Sequence, residues 1–458
     1  MADTVQNRDT FGSRLGVIFA TVGCAVGLGN VWRFPYMLGT NGGAAFLLVY
    51  FLCALLLGLP VMMAEFYIGR YSRRNAVGAF NVIAPKTRWR FVGYNGVLAA
   101  FLILGFYFVI SGWTFEYVFQ SIAGSFEGKS TGDIEAEFTA FSSSIFRPVF
   151  WTLLFIFITH FIIVTGVKNG IERSSKLLMP LLFVILVVLC IRSVTLPGAM
   201  AGLEFLFRPD FSKINSQVLL SAMGQAFFSL SVGMGCLITY SSYFGKETKL
   251  PRTALEVTVI DTLVAVLAGI MIFPAVFSFG IEPAAGVELV FITLPNVFGQ
   301  LPLGNLWACI FFLLLAVAAL TSTISLHEVA TAFLHEERGI TRKRAALLVS
   351  LGVTALAVLS SLSFGIMKDF TIFGLTFFDF LDYVTAKLML PLGGMFICIF
   401  VGWRIDRKIL KAELTNGGTV AFYFFSIYSF LLKYIAPLAI GFIFLNELAL
   451  IDFIREIF

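Results

Sequence analysis

Apolar runs of about twenty residues recur along this chain, and no other feature narrows its fold so far. About twenty residues is the length at which an α-helix crosses the hydrocarbon core of a bilayer. Lipid admits only helices and closed barrels, because every backbone polar group must find its partner within the protein. The runs lie at roughly 11–38, 43–70, 91–120, 147–166, 173–195, 217–244, 254–280, 304–335, 343–362, 379–403 and 420–446. Charged residues make up 13% of the 458 positions, about half the share of an ordinary soluble domain. The expected fold class is therefore an all-α integral membrane protein of about eleven spans, and no stretch reads as a soluble domain.

The connections test the count. Five alternate connections hold "RYSRRNAVGAFNVIAPKTRWR", "KNGIERSSK", "GKETKLPR", "HEERGITRKR" and "WRIDRKILK", each with at least three Lys or Arg. The opposite connections hold acids, as in "FEGKSTGDIEAEF" and "IEPAAGVE". Positive charge marks the cytoplasmic side, and the alternation holds across all eleven runs. The N-terminus is expected in the cytoplasm and the tail "NELALIDFIREIF" outside, in a multi-pass protein of the cell (inner) membrane. The net charge of +5 is thus a topology signal and not a nucleic-acid footprint.

The opening "MADTVQNRDT" is polar, so no cleavable signal is expected. The six cysteines all fall in apolar runs and read as reduced, buried thiols. His327 and His335 read as surface or helix-end histidines, with no metal-ligand spacing. The outer stretch at about 124–146 reads as a loop, and the outer segments 196–215 and 281–302 as holding short surface helices. No nucleophile–base pair lies in the spans, so an enzyme is not expected.

One run is interrupted. Residues 23–36, "GCAVGLGNVWRFPY", place three glycines, Asn30, Arg33 and a proline within the first span. A second interruption, "QAFFSLSVGMGCLITYSSY" at 225–243, falls in the sixth span, where Gly233-Met234-Gly235 mirrors Gly27-Leu28-Gly29. Five spans separate them, an odd number, so the two halves enter the membrane in opposite senses. Breaks at corresponding places point to an inverted repeat with a midplane site. Unwound backbone at membrane depth persists only where it lines a cavity or binds something. The half-helix starting near Leu28 presents amide donors and a positive dipole end, which suits a carboxylate. Carbonyls near Gly23, Ala25 and Val26 suit a hard cation or an ammonium. Close helix packing is the other reading of a Gly-x-Gly pair, but the recurrence at matched positions beside Asn30 and Arg33 favours a site.

Other polar residues fall in the spans. In "LTSTISLHE", Thr321 and Ser322 with the Ala318 carbonyl make a candidate oxygen cage, although hydroxyl back-bonding within the helix explains them equally. Asp261, in "VTVIDTLVAVLAG", is a lone acid in an apolar run and therefore a functional candidate. Arg33 and Asp382 are opposite charges near the outer ends of spans 1 and 10. Glu65 reads as a structural acid holding span 1 or 6.

These stretches resemble one known family. "GCAVGLGNVWRFPYMLGTNGGAAFLLVYF" is similar to the span 1–2 signature of the neurotransmitter:sodium symporters, and "TGVKNGIERSSKLLMP", "SLSVGMGCLITYSSY" and "LTSTISLHE" resemble its later motifs. The likeness runs from about residue 8 to 403. It implies a prokaryotic, eleven-span, sodium-dependent amino-acid transporter with a 5+5 inverted repeat and discontinuous helices 1 and 6. The chain then divides into a first repeat at about 11–195, a second at 217–403 and an additional helix at 420–446, within one transporter domain spanning 1–458.

The resemblance also implies a site. A first sodium ion would be held by the Ala25 carbonyl, Asn30, Ser229, Asp261 and the substrate carboxylate. A second would be held by the Gly23, Val26 and Ala318 carbonyls with Thr321 and Ser322. The substrate carboxylate would meet the Leu28 and Gly29 amides and the Tyr107 hydroxyl. Its amine would meet carbonyls of Ala25, Phe228 and Ser229, with Ser231 nearby. Its side chain would lie among Ile103, Tyr107, Phe228, Met234, Ser322 and Leu326. Arg33 with Asp382 would form the outer gate, lidded by Tyr107 and Phe228. Arg8 with Glu336 would form the inner gate, supported by Tyr243. This chain departs from the family in having Phe11 for a frequent Trp and Glu336 for a frequent Asp.

Three details narrow the expectation. Monoamine carriers of the family have an aspartate where Gly27 stands, so Gly27 favours a whole amino acid. The pocket residues are uncharged, which favours a neutral, hydrophobic or aromatic side chain. Asp261 supplies a fixed negative charge where animal members borrow chloride, so no chloride is expected. A fourth concerns the inward step. In "KNGIERSSKLLMP", nine residues separate Gly170 from Pro180, a spacing with which some members unwind span 5, although a plain proline kink is the other reading. The expected activity is sodium-coupled symport by alternating access. A proton-coupled carrier of the same fold is the alternative, and a non-transporting sensor or a channel is the alternative from another class.

Overall fold

The computed structural model describes residues 9–280 and 289–447. Among them, nine helices are long and apolar enough to cross a membrane, from Ala44–Ser72 to Phe425–Asn446, and the pair Arg14–Ala25 and Gly29–Thr40 makes a tenth span bent by 52°. Two shorter helices, Ser216–Ser229 and Cys236–Ser241, fill the place of span 6. The only strands among the described residues are Thr371–Ile372 and Leu375–Thr376, an antiparallel hairpin before span 10. The described residues thus form a bundle of membrane-crossing helices in which spans 1 and 6 are discontinuous.

Burial separates centre from rim. In span 3, Arg90–Ile122, 83% of the apolar core is buried within the protein, against 28% for span 11. Span 3 packs along span 8, Gly304–Arg338, and against spans 4 and 9. Its C-terminal half carries Trp113, whose ring meets Phe138, Phe141, Phe291 and Phe364 edge-on.

Both breaks have local causes. Helix Arg14–Ala25 ends where Val26 turns extended (φ −72°, ψ 115°). In span 6, Ser231, Gly233 and Gly235 all take positive φ (53°, 83° and 74°), a region that glycine enters without the side-chain penalty. Gly233 is also a contact point, since a Cβ there would come within 2.6 Å of the Leu390 carbonyl oxygen of span 10. The freed Gly233 amide donates to Glu65 Oε1 at 2.7 Å, so the acid of span 2 braces span 6.

Three expectations are corrected. Span 5 starts at Val167, six residues before the expected 173, because Gly166 (φ 96°) ends the loop and Val167–Glu172 forms a wide π-turn. The polar letters of "KNGIE" disguise helix as connection. Helix Leu289–Gly299 is not a surface helix, since Leu289–Phe298 are buried and Phe291 packs on Trp113 and Tyr117. The outer stretch read as a loop contains helix Thr131–Ser142, started by a Ser130–Asp133 capping box.

Candidate functional site

The broken part of span 1 is held by side chains from other spans. The Leu28 amide donates to Tyr107 Oη at 3.0 Å. Gln225 Nε2 donates to the Gly29 carbonyl at 3.1 Å, and Ser231 Oγ donates to the Cys24 carbonyl at 2.8 Å. The last carbonyls of a helix have no partner within it, so Gly23, Ala25 and Val26 present theirs at the break. Ser231 is thereby spent on the Cys24 backbone.

Two polar clusters flank this segment. In the first, Asn30 Nδ2 lies 2.8 Å from Asp261 Oδ1 and 3.0 Å from Ser229 Oγ, and Ser229 Oγ donates to Asp261 Oδ2 at 2.7 Å. Tyr50 closes the cluster, its hydroxyl 3.2 Å from Ser229 Oγ and 3.4 Å from Asp261 Oδ2. All four side chains are buried. Asn30 Oδ1 accepts from the Gly27 amide at 3.1 Å, which fixes the backbone on the other side of the break. In the second cluster Thr321 Oγ1 lies 3.3 Å from the Val26 carbonyl and 2.9 Å from that of Ala318, and Ser322 Oγ lies 3.5 Å from Val26. Thr321 therefore makes the back-bond and reaches span 1 as well. Gly23 lets the helices meet, since its Cβ would fall 3.3 Å from Thr321 Cβ.

Between the clusters, Tyr107 and Ser322 converge on Gly27. A Cβ at Gly27 would stand 2.2 Å from Ser322 Oγ and 2.9 Å from Tyr107 Oη. Ile103 lies one turn before Tyr107 and Leu326 one turn after Ser322, on the same helix faces, and both are buried, as is Met234. Phe228 covers Gly29, where a Cβ would meet its ring at 3.0 Å. The Arg33 guanidinium lies over that ring, 4.3 Å from its centroid. Arg33 and Asp382 make no ion pair within 4.0 Å among the described residues; the guanidinium stacks on Phe228 while Asp382 stays near enough to feel its charge.

On the opposite side, Arg8 lies outside the described residues. Glu336 accepts from the Asn75 amide at 2.9 Å and from Asn75 Nδ2 at 3.0 Å, which ties span 8 to the connection after span 2. Tyr243 Oη donates to Glu328 Oε1 at 2.7 Å, and Arg342 pairs with both Glu328 oxygens at 2.9 and 2.5 Å. Phe11 packs edge-on against Tyr240 and Tyr243. Pro180 lies within a continuous helix, Arg173–Val194, and Gly170 sits where a Cβ would meet the Ile162 carbonyl at 2.1 Å. Next to it Glu172 takes the Gly12 amide at 2.7 Å, Ser13 Oγ at 3.1 Å and Lys176 Nζ at 2.6 Å.

Sequence reasoning missed several of these residues. Tyr50 and Gln225 are neutral and carry no charge signal. Glu328 is a lone acid within a quoted motif, the same signal that singled out Asp261. His327 is corrected outright: it is fully buried, with Nδ1 2.9 Å from Thr331 Oγ1 and Nε2 2.9 Å from Ser350 Oγ. Of the two histidines, His335 alone stays at a helix end, with Nδ1 2.7 Å from the Ile340 carbonyl oxygen.

A helical bundle whose first and sixth spans break beside buried carboxylate, amide and hydroxyl groups is the architecture of a secondary transporter. The profile described as "Sodium:neurotransmitter symporter family" matches residues 8–134 and 134–454. The uncharacterized sodium-dependent transporter YhdH of Bacillus subtilis is 39% identical over 441 residues, covering 96% of this chain and 98% of that protein. An uncharacterized sodium-dependent transporter of Haemophilus influenzae is 40% identical, covering 98% of this chain and all of its own. A crystal structure of MhsT in complex with L-phenylalanine superposes with a TM-score of 0.89 at 46% identity, covering 96% of this chain and 100% of that one. The chain belongs to the sodium:neurotransmitter symporter family, and is a sodium-dependent membrane transporter rather than an enzyme.

Proposed function

We propose that this protein carries a neutral, hydrophobic or aromatic amino acid into the cell together with sodium, by alternating access and without chloride. The observation that carries the reading is the convergence of Leu28 N, Tyr107 Oη and Ser322 Oγ on Gly27, between two oxygen-rich clusters. The amides of Leu28 and Gly29 with Tyr107 take the substrate carboxylate, and the carbonyls of Ala25, Phe228 and Ser229 take its amine. The space at Gly27 is closed by Ser322 and Tyr107, which leaves no room for the aspartate a decarboxylated amine would need. Ile103, Phe228, Met234 and Leu326 offer the substrate side chain no charge. L-phenylalanine, the amino acid bound in the MhsT crystal structure, is of this class.

One sodium ion sits with Asn30, Ser229, Asp261 and the Ala25 carbonyl, the other with Gly23, Val26, Ala318, Thr321 and Ser322. At the first site Asn30 turns its amide oxygen toward the cation, in place of the nitrogen that meets Asp261 Oδ1 at 2.8 Å. Asp261 provides the negative charge that makes chloride unnecessary. Substrate and sodium bind together because the carboxylate and the cations neutralise one another in a low-dielectric site. Arg33 and Asp382 close the outer side, and Arg8, Glu336 and Tyr243 the inner side. The N-terminus is cytoplasmic, in the cell's inner membrane.

Thermal-shift and scintillation binding across the twenty amino acids, with and without sodium, tests the reading. Sodium-dependent stabilisation by aromatic and large aliphatic amino acids is expected. Binding that ignores sodium and follows pH would replace it with the proton-coupled carrier. Equal uptake in chloride and gluconate is expected, and a strict chloride requirement would overturn that part.

A further inference from the structure

The connection between spans 10 and 11 holds a short helix, Arg407–Leu414, whose two faces have different partners. One face is docked: Leu410 and Leu414 are buried, and Glu413 Oε1 takes Arg70 Nε at 2.6 Å. Arg70 goes on to Asn416 Oδ1 at 3.0 Å and to the Thr248 carbonyl. Arg407 and Lys411 border that face and Lys408 points further round, and all three are exposed. Beside them a cleft of about 790 Å³ opens between this helix and the start of span 11, walled by Phe422, Tyr423 and Phe425. Arg407 and Lys411 lean over the Phe425 ring, at 5.4 and 5.9 Å from its centroid, a cation–π arrangement, and Arg407 Nη2 donates to Ser426 Oγ at 3.2 Å. The one carboxylate on the rim, Asp406, is engaged with the Lys408 amide at 2.7 Å.

We propose that this cleft binds an anionic phospholipid, its phosphate on Arg407 and Lys411 and the head of an acyl chain along the aromatic wall. Charge complementarity selects an anion, since three cations line the cleft against a single carboxylate, Asp406. The wall selects a lipid over a soluble anion, because it continues into lipid-facing surface. Tyr423 is 90% exposed, Phe424 67% and Ile427 57%, at the entry to the span least buried in the protein. Basic residues beside aromatic, apolar surface are how a protein reads an anionic leaflet. The Glu413–Arg70–Thr248 links tie the bound lipid to span 2 and to the connection between spans 6 and 7.

The test is native mass spectrometry of the full-length protein, released from bilayers of mixed phosphatidylglycerol and phosphatidylcholine. Phosphatidylglycerol is expected to be retained over phosphatidylcholine by about fivefold or more. The Arg407→Gln/Lys411→Gln pair is expected to abolish the preference, while Lys411→Arg and a control pair elsewhere, Arg88→Gln/Arg90→Gln, keep it. Thermal unfolding in phosphatidylcholine alone establishes that each variant is folded; if the double variant does not fold, single Lys411→Gln decides, with a reduced preference expected. Retention of the full preference by the variant, or complete displacement of the lipid by millimolar inorganic phosphate, would overturn the proposal, the second by showing a soluble-phosphate site.

Discussion

Asn30 on span 1 and Asp261 on span 7 are bonded side chain to side chain, Nδ2 to Oδ1 at 2.8 Å, with both residues fully buried. The same asparagine holds the Gly27 amide through Oδ1, so one side chain links the broken backbone to the only carboxylate in the first cluster. A change at Asp261 is therefore felt at the break itself.

Replacing Asp261 by Ser removes that charge and leaves a hydroxyl. Sodium-dependent substrate binding in gluconate is expected to weaken by about tenfold or more, the equivalent of losing one charged ligand. Chloride is expected to restore part of it. Scintillation binding in the two salts measures both effects, and a variant indifferent to chloride would sink the role given to Asp261.

Gly27→Ala places a methyl group 2.2 Å from Ser322 Oγ. Substrate affinity is expected to fall about tenfold, with thermal stability nearly unchanged because Ser322 can swing away. Adding Ser322→Ala removes the nearer obstacle and leaves Tyr107 Oη at 2.9 Å. The double variant is expected to recover part of the substrate affinity, although Ser322 also stands near the Val26 carbonyl, so sodium is kept saturating in the titration.

Glu172 clasps the start of span 1 from within the Gly170–Pro180 segment. Glu172→Ala leaves the Gly12 amide and Ser13 without this acceptor. Amide exchange across residues 12–16 is expected to rise about tenfold or more, as local opening becomes cheaper. Pro180→Ala is expected to have the opposite sense, since it supplies the missing backbone donor and holds span 5 wound. It should slow sodium release in proteoliposomes while substrate affinity from outside stays the same; unchanged release would leave Pro180 as an ordinary kink.

Arg342→Ala strands Glu328, which is fully buried at the centre of the Tyr243–Glu328–Arg342 chain. Breaking one side of a buried pair costs about 3–5 kcal/mol, so a large fall in Tm is expected. The double change Glu328→Gln/Arg342→Met removes both charges and is expected to recover most of the loss. Scanning fluorimetry of the three proteins compares them directly; equal loss in single and double variants would contradict the pairing argument.

Composition and punctuation alone determined much of this protein. Lipid forbids unpaired backbone, so the apolar runs had to be helices, and their lengths and flanking bases set the count and order of the spans. Gly27 and Gly29 marked the first break because a side chain there would collide with Ser322 or Phe228. Gly233 and Gly235 marked the second because glycine takes positive φ at least cost. Asp261 stood out because an acid in an apolar run is costly. The tertiary structure alone decided the partners. Tyr50 reaches Asp261 across 211 positions, Gln225 reaches Gly29 across 196, and Glu172 reaches Gly12 across 160. It also turned His327 inward onto Ser350 and buried Leu289–Phe298 under the aromatic cluster. A one-dimensional pattern reports what a residue costs to bury, because that depends on its own chemistry. Which group meets that cost depends on how the helices cross, and in a bundle of this kind the crossing is set by packing between segments far apart in the chain.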